Sequence, residues 1–264
     1  MKALRIYQVD AFTTQLFAGN PAAVVPLDNW IDDSLMQQIA AENNLAETAF
    51  FVPQNDSGDH WHIRWFTPAV EVPLCGHATL ASAAVIHRDF SPASWPIRLE
   101  SASGQLTVDV DGDAFVLDFP ANEAAPCEVP DGLLEVLGIE VEECFSTEGF
   151  YLLVAADEAS VQAMSPEFGK IISLTKDSII VTAPGESVDF VSRFFAPGLG
   201  IDEDPVTGAA HCVLTPYWAK RLNKKSFKAR QISQRGGELD CELRDDRVRL
   251  RGHARFYLEG KLTV

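Results

Sequence analysis

Apolar residues occur along the chain in short runs separated by polar turns, and this pattern predicts a mixture of strands and helices. Runs rich in aromatic and β-branched residues predict strands at Thr48–Val52 and His62–Phe66. Alternating residues on either side of Asp111-Gly112-Asp113 predict a hairpin. Two helix candidates, 77–87 and 208–222, are apolar on every side, which is typical of helices buried inside a domain. The chain is therefore predicted to belong to the α+β class.

One short pattern occurs twice and predicts two copies of a single domain. Arg64-Trp65-Phe66-Thr67-Pro68 precedes Gly76 and the first apolar helix, and Arg193-Phe194-Phe195-Ala196-Pro197 precedes Gly208 and the second. Chance can produce a five-residue echo, but the shared order of strand, loop, glycine and helix favours duplication. A proline-rich stretch around Pro126 indicates an extended linker. We therefore predict an N-terminal domain at residues 1–119 and a C-terminal domain at 120–264.

Composition limits the partners that the protein can bind. The sequence has 264 residues, with 21 Lys and Arg against 38 Asp and Glu, and its net charge is −17. This acid excess argues against binding to nucleic acid or to an anionic membrane surface. An anionic substrate must then be held by local groups. Five scattered cysteines without a C-x-x-C motif make a disulfide framework improbable, and Met1–Asp10 does not resemble a signal peptide, so we expect a cytoplasmic protein.

The entrances of the two apolar helices are the predicted anion sites. A helix N-terminus presents unpaired N–H groups and a partial positive charge, so it binds carboxylates without basic side chains. Gly76 and Gly208 would let a ligand approach the backbone closely. The alternative is that both glycines serve only the close packing of strand and helix.

Three side chains are candidates for acid–base chemistry. Glu47 lies in an apolar stretch, where burial would raise the pKa of its carboxyl group; a solvated glutamate at a strand end is the simpler local interpretation. His77 opens the first helix, whose dipole should keep the imidazole neutral, unless it is an ordinary core histidine. Asp204 is the acid nearest the second helix in Asp202-Glu203-Asp204, a run that could equally be a solvated or helix-capping cluster.

Metal and cofactor signals are weak. Cys75 precedes Gly76 at a helix N-terminus, which would lower the pKa of its thiol. A metal site built from Cys75, His77, His211 and Cys212 would lack the short ligand spacings of zinc sites, so no metal is predicted. The sequence has no G-x-G-x-x-G, P-loop or G-x-S-x-G motif, so dinucleotide, nucleoside triphosphate and esterase chemistry lack support.

Six blocks of sequence, taken together, resemble the PhzF-like phenazine-biosynthesis isomerase family over nearly the whole chain. They are Val9-Asp10-Ala11-Phe12, Phe17-Ala18-Gly19-Asn20-Pro21, Asn44-Leu45-Ala46-Glu47-Thr48, Phe66-Thr67-Pro68, Gly76-His77-Ala78 and Glu203-Asp204-Pro205-Val206-Thr207-Gly208. The resemblance implies the diaminopimelate epimerase fold. In that fold two similar, pseudo-two-fold related domains each wrap a bent sheet around a central apolar helix, and the active site lies in the cleft between them. The fold also allows the last strand, about 253–264, to complete the N-terminal domain.

The resemblance also implies roles for individual residues. Glu47 matches the carboxylate that moves a proton between two carbons of a small anionic substrate, and His77 and Asp204 match residues that hold the substrate and assist the transfer. The matching substrate-binding positions at the two helix entrances are Cys75, Gly76, Ala78, Thr207, Gly208 and Ala209. The family uses no metal and no organic cofactor, and its members commonly form homodimers.

Two departures from the family pattern leave alternatives open. Ala209 stands where the phenazine enzyme has Ser, which would remove one hydrogen bond to substrate, and Cys75 stands where that enzyme has no cysteine. A Cys75–Glu47 pair could serve an epimerase or racemase, although the counterpart of Cys75 in the second half is Thr207, whose hydroxyl is a very weak acid or base. A catalytically silent small-molecule binder is the third reading. The leading prediction is a cofactor-independent isomerase of a small carboxylate-bearing metabolite.

Overall fold

The computed structural model describes residues 3–264, so the first two residues of the Met1–Asp10 prediction lie outside it. The chain divides into two compact units: unit 1 comprises residues 3–118 with Arg251–Val264, and unit 2 comprises Phe119–Leu250. Both units combine strands and helices, as the α+β prediction requires. Within the described part of the chain, no helix has both the length and the apolar character needed to cross a membrane.

Unit 1 is built from nine strands and two helices, with two strands running across its boundary. Its strands are β1 (Ala3–Ala11), β2 (Asn20–Pro26), β3 (Glu47–Pro53), β4 (His60–Phe66), β5 (Glu71–Val72), β6 (Ile97–Ser101), β7 (Gly104–Asp111), β8 (Ala114–Pro120) and the last strand of the chain, Ala254–Thr263. Its helices are α1 (Asp33–Asn43) and α2 (Gly76–Asp89). The last strand pairs antiparallel with β1, from Ala3 opposite Thr263 to Ala11 opposite Ala254.

Unit 2 contains the remaining elements. Its strands are β9 (Ala125–Pro126), β10 (Glu143–Thr147), β11 (Phe150–Val154), β12 (Ser178–Pro184), β13 (Phe190–Phe195), β14 (Ser226–Gln231), β15 (Gly237–Arg244) and β16 (Arg247–Gly252), the last of which ends in unit 1. The last strand of the chain, Ala254–Thr263, is β17. The helices are α3 (Leu133–Leu137), α4 (Glu158–Ala163), α5 (Phe168–Leu174) and α6 (Gly208–Leu222), and a 3₁₀ turn covers Pro197–Leu199.

The strand pairings confirm that the two units repeat one plan. In unit 1 the pairs β1/β2, β2/β3, β3/β4, β4/β6 and β6/β7 are antiparallel, parallel, antiparallel, parallel and antiparallel. In unit 2 the pairs β10/β11, β11/β12, β12/β13, β13/β14 and β14/β15 follow the same order of directions. In both units the apolar helix follows the fourth strand of this series and precedes the fifth. The parallel steps require crossover connections, and these helices supply one in each unit.

The sequence echo corresponds to a repeated ion pair. Arg64 of β4 binds Glu71 through two hydrogen bonds of 2.7 Å, and Arg193 of β13 binds Glu203 through bonds of 2.7 and 2.8 Å. Each arginine therefore fastens the loop that follows its strand with a bidentate carboxylate contact. These loops lead to α2 and α6, so the repeated arginine helps to fix the approach to each helix.

The two apolar helices are buried, as their composition predicts. Every residue of α2 from His77 to Ile86 is buried, and the helix packs on β1, β2, β3 and β17. In α6 the residues from Ala210 to Pro216 are all buried. Over these buried stretches neither helix has a solvated face, which explains why the sequence there lacks polar periodicity.

Several elements were not identified from the sequence, among them β6, β10 and α4, which lies between β11 and α5. Strand β10 is partly exposed along its whole length, so its sequence does not alternate sharply between apolar and polar residues. Helix α4 has only six residues, and its start depends on a local cap in which the Asp157 side chain accepts a hydrogen bond from the Ser160 N–H.

Candidate active site

Three predicted residues of unit 1 come together at the N-terminus of α2. Glu47 is the first residue of β3, Cys75 is the N-cap of α2, and His77 lies in the first turn of that helix. Nε2 of His77 lies 3.1 Å from Oε2 of Glu47, and Nδ1 of His77 lies 3.5 Å from Sγ of Cys75. Strand β3 and the helix thus present a carboxylate, an imidazole and a thiol to one another. We call these three residues the acid–base trio.

The trio is nearly closed to solvent. The side chains of His77 and Glu47 are 7% and 12% exposed, so the interpretation of Glu47 as a solvated strand-end residue is wrong. Oε2 of Glu47 makes no hydrogen bond of good geometry, which makes its short contact with His77 an ion pair rather than an aligned hydrogen bond. A buried carboxylate oxygen with unused acceptor capacity can accept a proton from a ligand.

Mutual attraction, not burial, sets the charge states of Glu47 and His77. Burial alone raises the pKa of Glu47, but the charge of His77 and the polar contacts with His77 and Cys75 lower that pKa below its ordinary value. Burial alone lowers the pKa of His77, but the neighbouring Cys75 and Glu47 raise it well above its ordinary value. The expected raised pKa of Glu47 and neutral His77 are therefore wrong. A counter-charge at 3.1 Å outweighs both desolvation and the helix dipole.

Cys75 behaves differently from the sequence expectation. Burial, followed by the charge of Glu47, raises the pKa of the Cys75 thiol. The expected lowering by the helix N-terminus is wrong, because desolvation and a nearby carboxylate both oppose the thiolate. Cys75 is thus a neutral thiol beside an imidazolium–carboxylate pair. The Glu47 carboxylate, 3.1 Å from Nε2 of His77, favours the protonated form of that imidazole.

The entrance of α2 offers donors for a ligand. Cys75 makes no capping hydrogen bond with its side chain, and the helix ladder begins with the N–H of Thr79 donating to the Cys75 carbonyl at 3.1 Å. The N–H groups of Gly76, His77 and Ala78 precede that first bond, and a helix of 14 residues directs its positive end at the same point. Donors of this kind suit a carboxylate.

The three consecutive acids of unit 2 differ in exposure and in their partners. Asp202 is exposed, Glu203 is bound to Arg193, and Asp204 is buried, with 8% of its surface exposed. The Thr207 hydroxyl donates a short hydrogen bond to the Asp204 carboxylate. Asp204 therefore belongs to the entrance of α6, as predicted. Thr207 is the N-cap of α6 but makes no capping bond with its side chain, Gly208 begins the helix, and Ala209 is exposed.

Gln231 is a site residue that sequence reasoning missed. From the end of β14 its fully buried side chain accepts a hydrogen bond from the Thr207 N–H at 3.0 Å. Its amide group donates to the Asp204 carbonyl at 2.7 Å and to the Thr207 hydroxyl at 3.2 Å. Gln231 therefore fixes the loop at the entrance of α6. The available signal was that Gln231 alternates with Phe227 and Ala229 along β14, which puts it on the buried face, where an amide must find partners.

Of the four candidate metal ligands, Cys75 and His77 lie together in unit 1. One donor atom each from Glu47, Cys75 and His77 lie within 4.8 Å of one another, and O, S and N donors of this kind can bind a borderline cation such as Zn²⁺. Such binding would have to displace the proton that His77 holds. In α6, His211 is buried, and its Nδ1–H donates a hydrogen bond to the Thr207 carbonyl at 2.8 Å. Burial lowers the pKa of His211 to about 4. His211 is thus a neutral histidine of the helix interior.

The predicted residues form one group in each unit. Glu47, Cys75, Gly76, His77 and Ala78 lie together at the entrance of α2. Asp204, Thr207, Gly208 and Ala209 lie at the entrance of α6. The chain is therefore a two-unit α+β protein in which one helix entrance carries an acid–base trio and the other a buried carboxylate.

Comparison with known proteins gives the family. The profile of the phenazine biosynthesis-like proteins (PhzC-PhzF) matches residues 9–260, and the chain belongs to this family. It is 49% identical to an uncharacterised isomerase of Pseudomonas aeruginosa over 99% of each chain. A PhzF-family crystal structure from Enterococcus faecalis matches all of both chains with 42% identity and a TM-score of 0.96. A predicted epimerase of P. aeruginosa shares the fold, with 22% identity and a TM-score of 0.74. The protein is an isomerase of this family.

Proposed function

We propose that the protein moves a proton between two carbon atoms of a small carboxylate-bearing metabolite, with Glu47 as the general acid and base. The observation that carries this proposal is the buried Glu47–His77 ion pair at the entrance of α2. The entrance donors would bind the substrate carboxylate, which agrees with a net charge of −17 that repels anions elsewhere. No organic cofactor is needed for such a transfer, because a positioned carboxylate can both remove and return the proton.

His77 would serve the transfer in two ways. As an imidazolium it keeps Glu47 ionised and therefore able to accept a proton from carbon. As a donor beside the helix entrance it would also stabilise negative charge that develops on the substrate during proton removal. Burial strengthens both effects, because water competes weakly at a site where the side chains are 7% and 12% exposed.

The geometry disfavours the alternative in which Cys75 and Glu47 act as two bases of an epimerase. Two groups on opposite faces of one carbon, each about 3–3.5 Å from it, would be roughly 6–7 Å apart. The donor atoms of Cys75 and Glu47 lie within 4.8 Å. A neutral thiol with a raised pKa is also a poor base.

For unit 2 we propose substrate binding rather than proton transfer. Asp204 is buried and bound by the Thr207 hydroxyl, while the first turn of α6 has no side-chain cap. The entrance can therefore offer its N–H groups to an anion. The homodimer and the cytoplasmic location expected from the sequence remain predictions.

The proposal is tested by following deuterium exchange. A panel of cyclic and unsaturated carboxylic acids is incubated in D₂O with the wild-type protein, Glu47→Gln and Glu42→Gln, and carbon-bound deuterium is measured by NMR. Glu42 is an exposed residue of α1 and serves as the matched control. We expect Glu47→Gln to slow exchange at least about a hundredfold, the usual contribution of general acid–base catalysis.

Two outcomes would contradict the proposal. Undiminished exchange in Glu47→Gln would remove Glu47 from the reaction. Tight binding of a panel member without exchange at any carbon would favour a silent binding protein. Full activity in Cys75→Ala would separately exclude a catalytic thiol.

A further inference from the structure

Two cysteines of unit 2 lie directly opposite each other in neighbouring strands. Residues of β9 and β10 pair antiparallel, with Pro126 opposite Phe145 and Ala125 opposite Ser146. The same register places Cys127, just after β9, opposite Cys144 in β10, and the Cys127 N–H donates to the Cys144 carbonyl at 3.0 Å. Their sulfur atoms are 3.4 Å apart, and both are free thiols.

This backbone geometry matches what a disulfide requires. Opposed residues that share a ladder hydrogen bond have Cα atoms about 5.5 Å apart. Disulfides span Cα separations of roughly 4.4–6.8 Å, with sulfurs about 2.05 Å apart. Small rotations of the two side chains therefore bring sulfurs that start at 3.4 Å into bonding distance without moving the strands.

This pair is also more accessible than the other cysteines. Cys127 and Cys144 are both partly exposed, whereas Cys75, Cys212 and Cys241 are buried. Burial, with the neighbouring Cys127, raises the pKa of Cys144 to about 12, so Cys144 ionises poorly on its own. Both sulfurs are accessible to an oxidant, and whichever reacts first has the other 3.4 Å away.

We propose that Cys127 and Cys144 form a reversible intramolecular disulfide when the protein meets a peroxide. In the first step one of the two sulfurs, written here as that of Cys127, attacks hydrogen peroxide, the O–O bond breaks, and a sulfenic acid and one water form. In the second step the Cys144 sulfur attacks the Cys127 sulfur, the S–O bond breaks, and a second water leaves with the Cys144 proton. Two thiols are oxidised, one peroxide is reduced to two waters, and a thiol reductant reverses the change.

The bond would close a loop between residues 17 apart in sequence. Closing a loop of about this length restricts the unfolded chain, and the expected effect is a rise of roughly 5 °C in the midpoint of thermal unfolding. The loop contains α3, whose residues Leu133 and Leu137 belong to the core of unit 2. The oxidised form would therefore unfold at a higher temperature than the reduced form, by a difference that calorimetry resolves.

The full-length protein tests the proposal. Wild type, Cys127→Ser and Cys144→Ser are reduced, treated with stoichiometric hydrogen peroxide, alkylated, digested and mapped by mass spectrometry without reduction. We expect a Cys127–Cys144 linked peptide two hydrogens lighter than the separate thiols, only in the wild type. Dithiothreitol should restore both thiols, and the rise in unfolding midpoint should appear only in the peroxide-treated wild type.

Three results would overturn the proposal. They are alkylation of both thiols in the peroxide-treated wild type, a linkage of Cys127 to a different cysteine, or sulfinic acid at Cys127 in place of the disulfide. Both serine variants replace partly exposed side chains, so they should fold, and their reduced unfolding midpoints verify this. A rise in unfolding midpoint that occurs only in the peroxide-treated wild type would then result from the disulfide itself.

Discussion

The Glu47–His77 pair makes a quantitative prediction about stability. Four proteins are compared: wild type, Glu47→Gln, His77→Gln and the double variant. If the two side chains form a buried ion pair, the effects of the single substitutions will not add. We also expect His77→Gln to destabilise more than Glu47→Gln near neutral pH. His77→Gln leaves the Glu47 carboxylate buried without a counter-charge. Glu47→Gln leaves the His77 imidazole, which can lose its proton at little cost.

The magnitude follows from the contact distance. For unit charges 3.1 Å apart, an effective dielectric constant of about 20 gives an attraction of about 5 kcal/mol. The measured coupling should be smaller, because the remaining partner in each single variant neutralises itself and relaxes. We therefore expect a coupling free energy of about 2–3 kcal/mol. Glu167 and Lys170, an exposed pair at 2.8 Å, provide the control cycle, for which we expect below about 1 kcal/mol.

The coupling should depend on pH with a defined sign. The folded-state pKa of His77 is raised above its ordinary 6.5, so its stabilisation is complete below pH 6.5 and is lost as pH rises through the folded value. The folded-state pKa of Glu47 is lowered below its ordinary 4.5, so its stabilisation is present above pH 4.5 and is lost as pH falls through the folded value. The coupling is therefore greatest between about pH 4.5 and 6.5.

Urea unfolding measures this coupling, followed by tryptophan fluorescence and far-ultraviolet circular dichroism. Trp30, Trp61, Trp65 and Trp95 lie in unit 1 and only Trp218 lies in unit 2, so fluorescence reports chiefly on the unit that holds the pair. Additive single effects at pH 5.5, or a coupling that does not change between pH 5.5 and strongly alkaline pH, would refute the ion pair as the reason for the altered pKa values.

Two further predictions concern a glycine in the turn before β2 and the buried glutamine at the entrance of α6. Gly19 has a φ of +69°, and a Cβ there would lie 2.2 Å from the Ala11 carbonyl oxygen, so Gly19→Ala should cost about 2 kcal/mol more in unfolding free energy than Gly112→Ala. Gly112 is the matched control, with φ +65° and nothing within 4 Å of its Cβ position; equal losses in the two variants would contradict the steric argument. Gln231→Leu should lower the unfolding free energy by about 2–4 kcal/mol, because the Thr207 N–H and the Asp204 carbonyl lose a buried partner. A calorimetric change below about 0.5 kcal/mol would show that other groups replace those bonds.

The sequence was sufficient for the features that depend on local pattern. The all-apolar helices and the echo around Arg64 and Arg193 predicted two copies of one plan, and the strand directions agree with it. The charge states of the site could not be predicted in the same way. Local sequence placed Glu47 among apolar residues but gave no measure of its distance from His77, which lies 30 positions away. The apolar surroundings of Glu47 therefore indicate desolvation, whereas the opposing Coulomb attraction depends on a contact that only the fold creates.

The same limit applies to Gln231 and to the Cys127–Cys144 pair. Each depends on strands that are brought side by side by hydrogen bonds between distant residues. Strand registers fix these contacts to within one residue, and a shift by one residue would turn each side chain to the other face. A single sequence carries no direct record of register, because alternation shows which face is apolar but not which residue lies opposite.

The lowered pKa of Glu47 is compatible with its proposed role as a base. Before substrate binds, the carboxylate is ionised and is held by His77, so it is in the protonation state that a base requires but is only weakly basic. An anionic substrate at the entrance of α2 would place a second negative charge beside the pair and share the imidazolium. A like charge and the loss of an exclusive partner both raise a carboxyl pKa. Substrate binding would therefore strengthen Glu47 as a base when a carbon acid is in place, whereas a carboxyl group that burial had already neutralised would have no capacity to accept the proton.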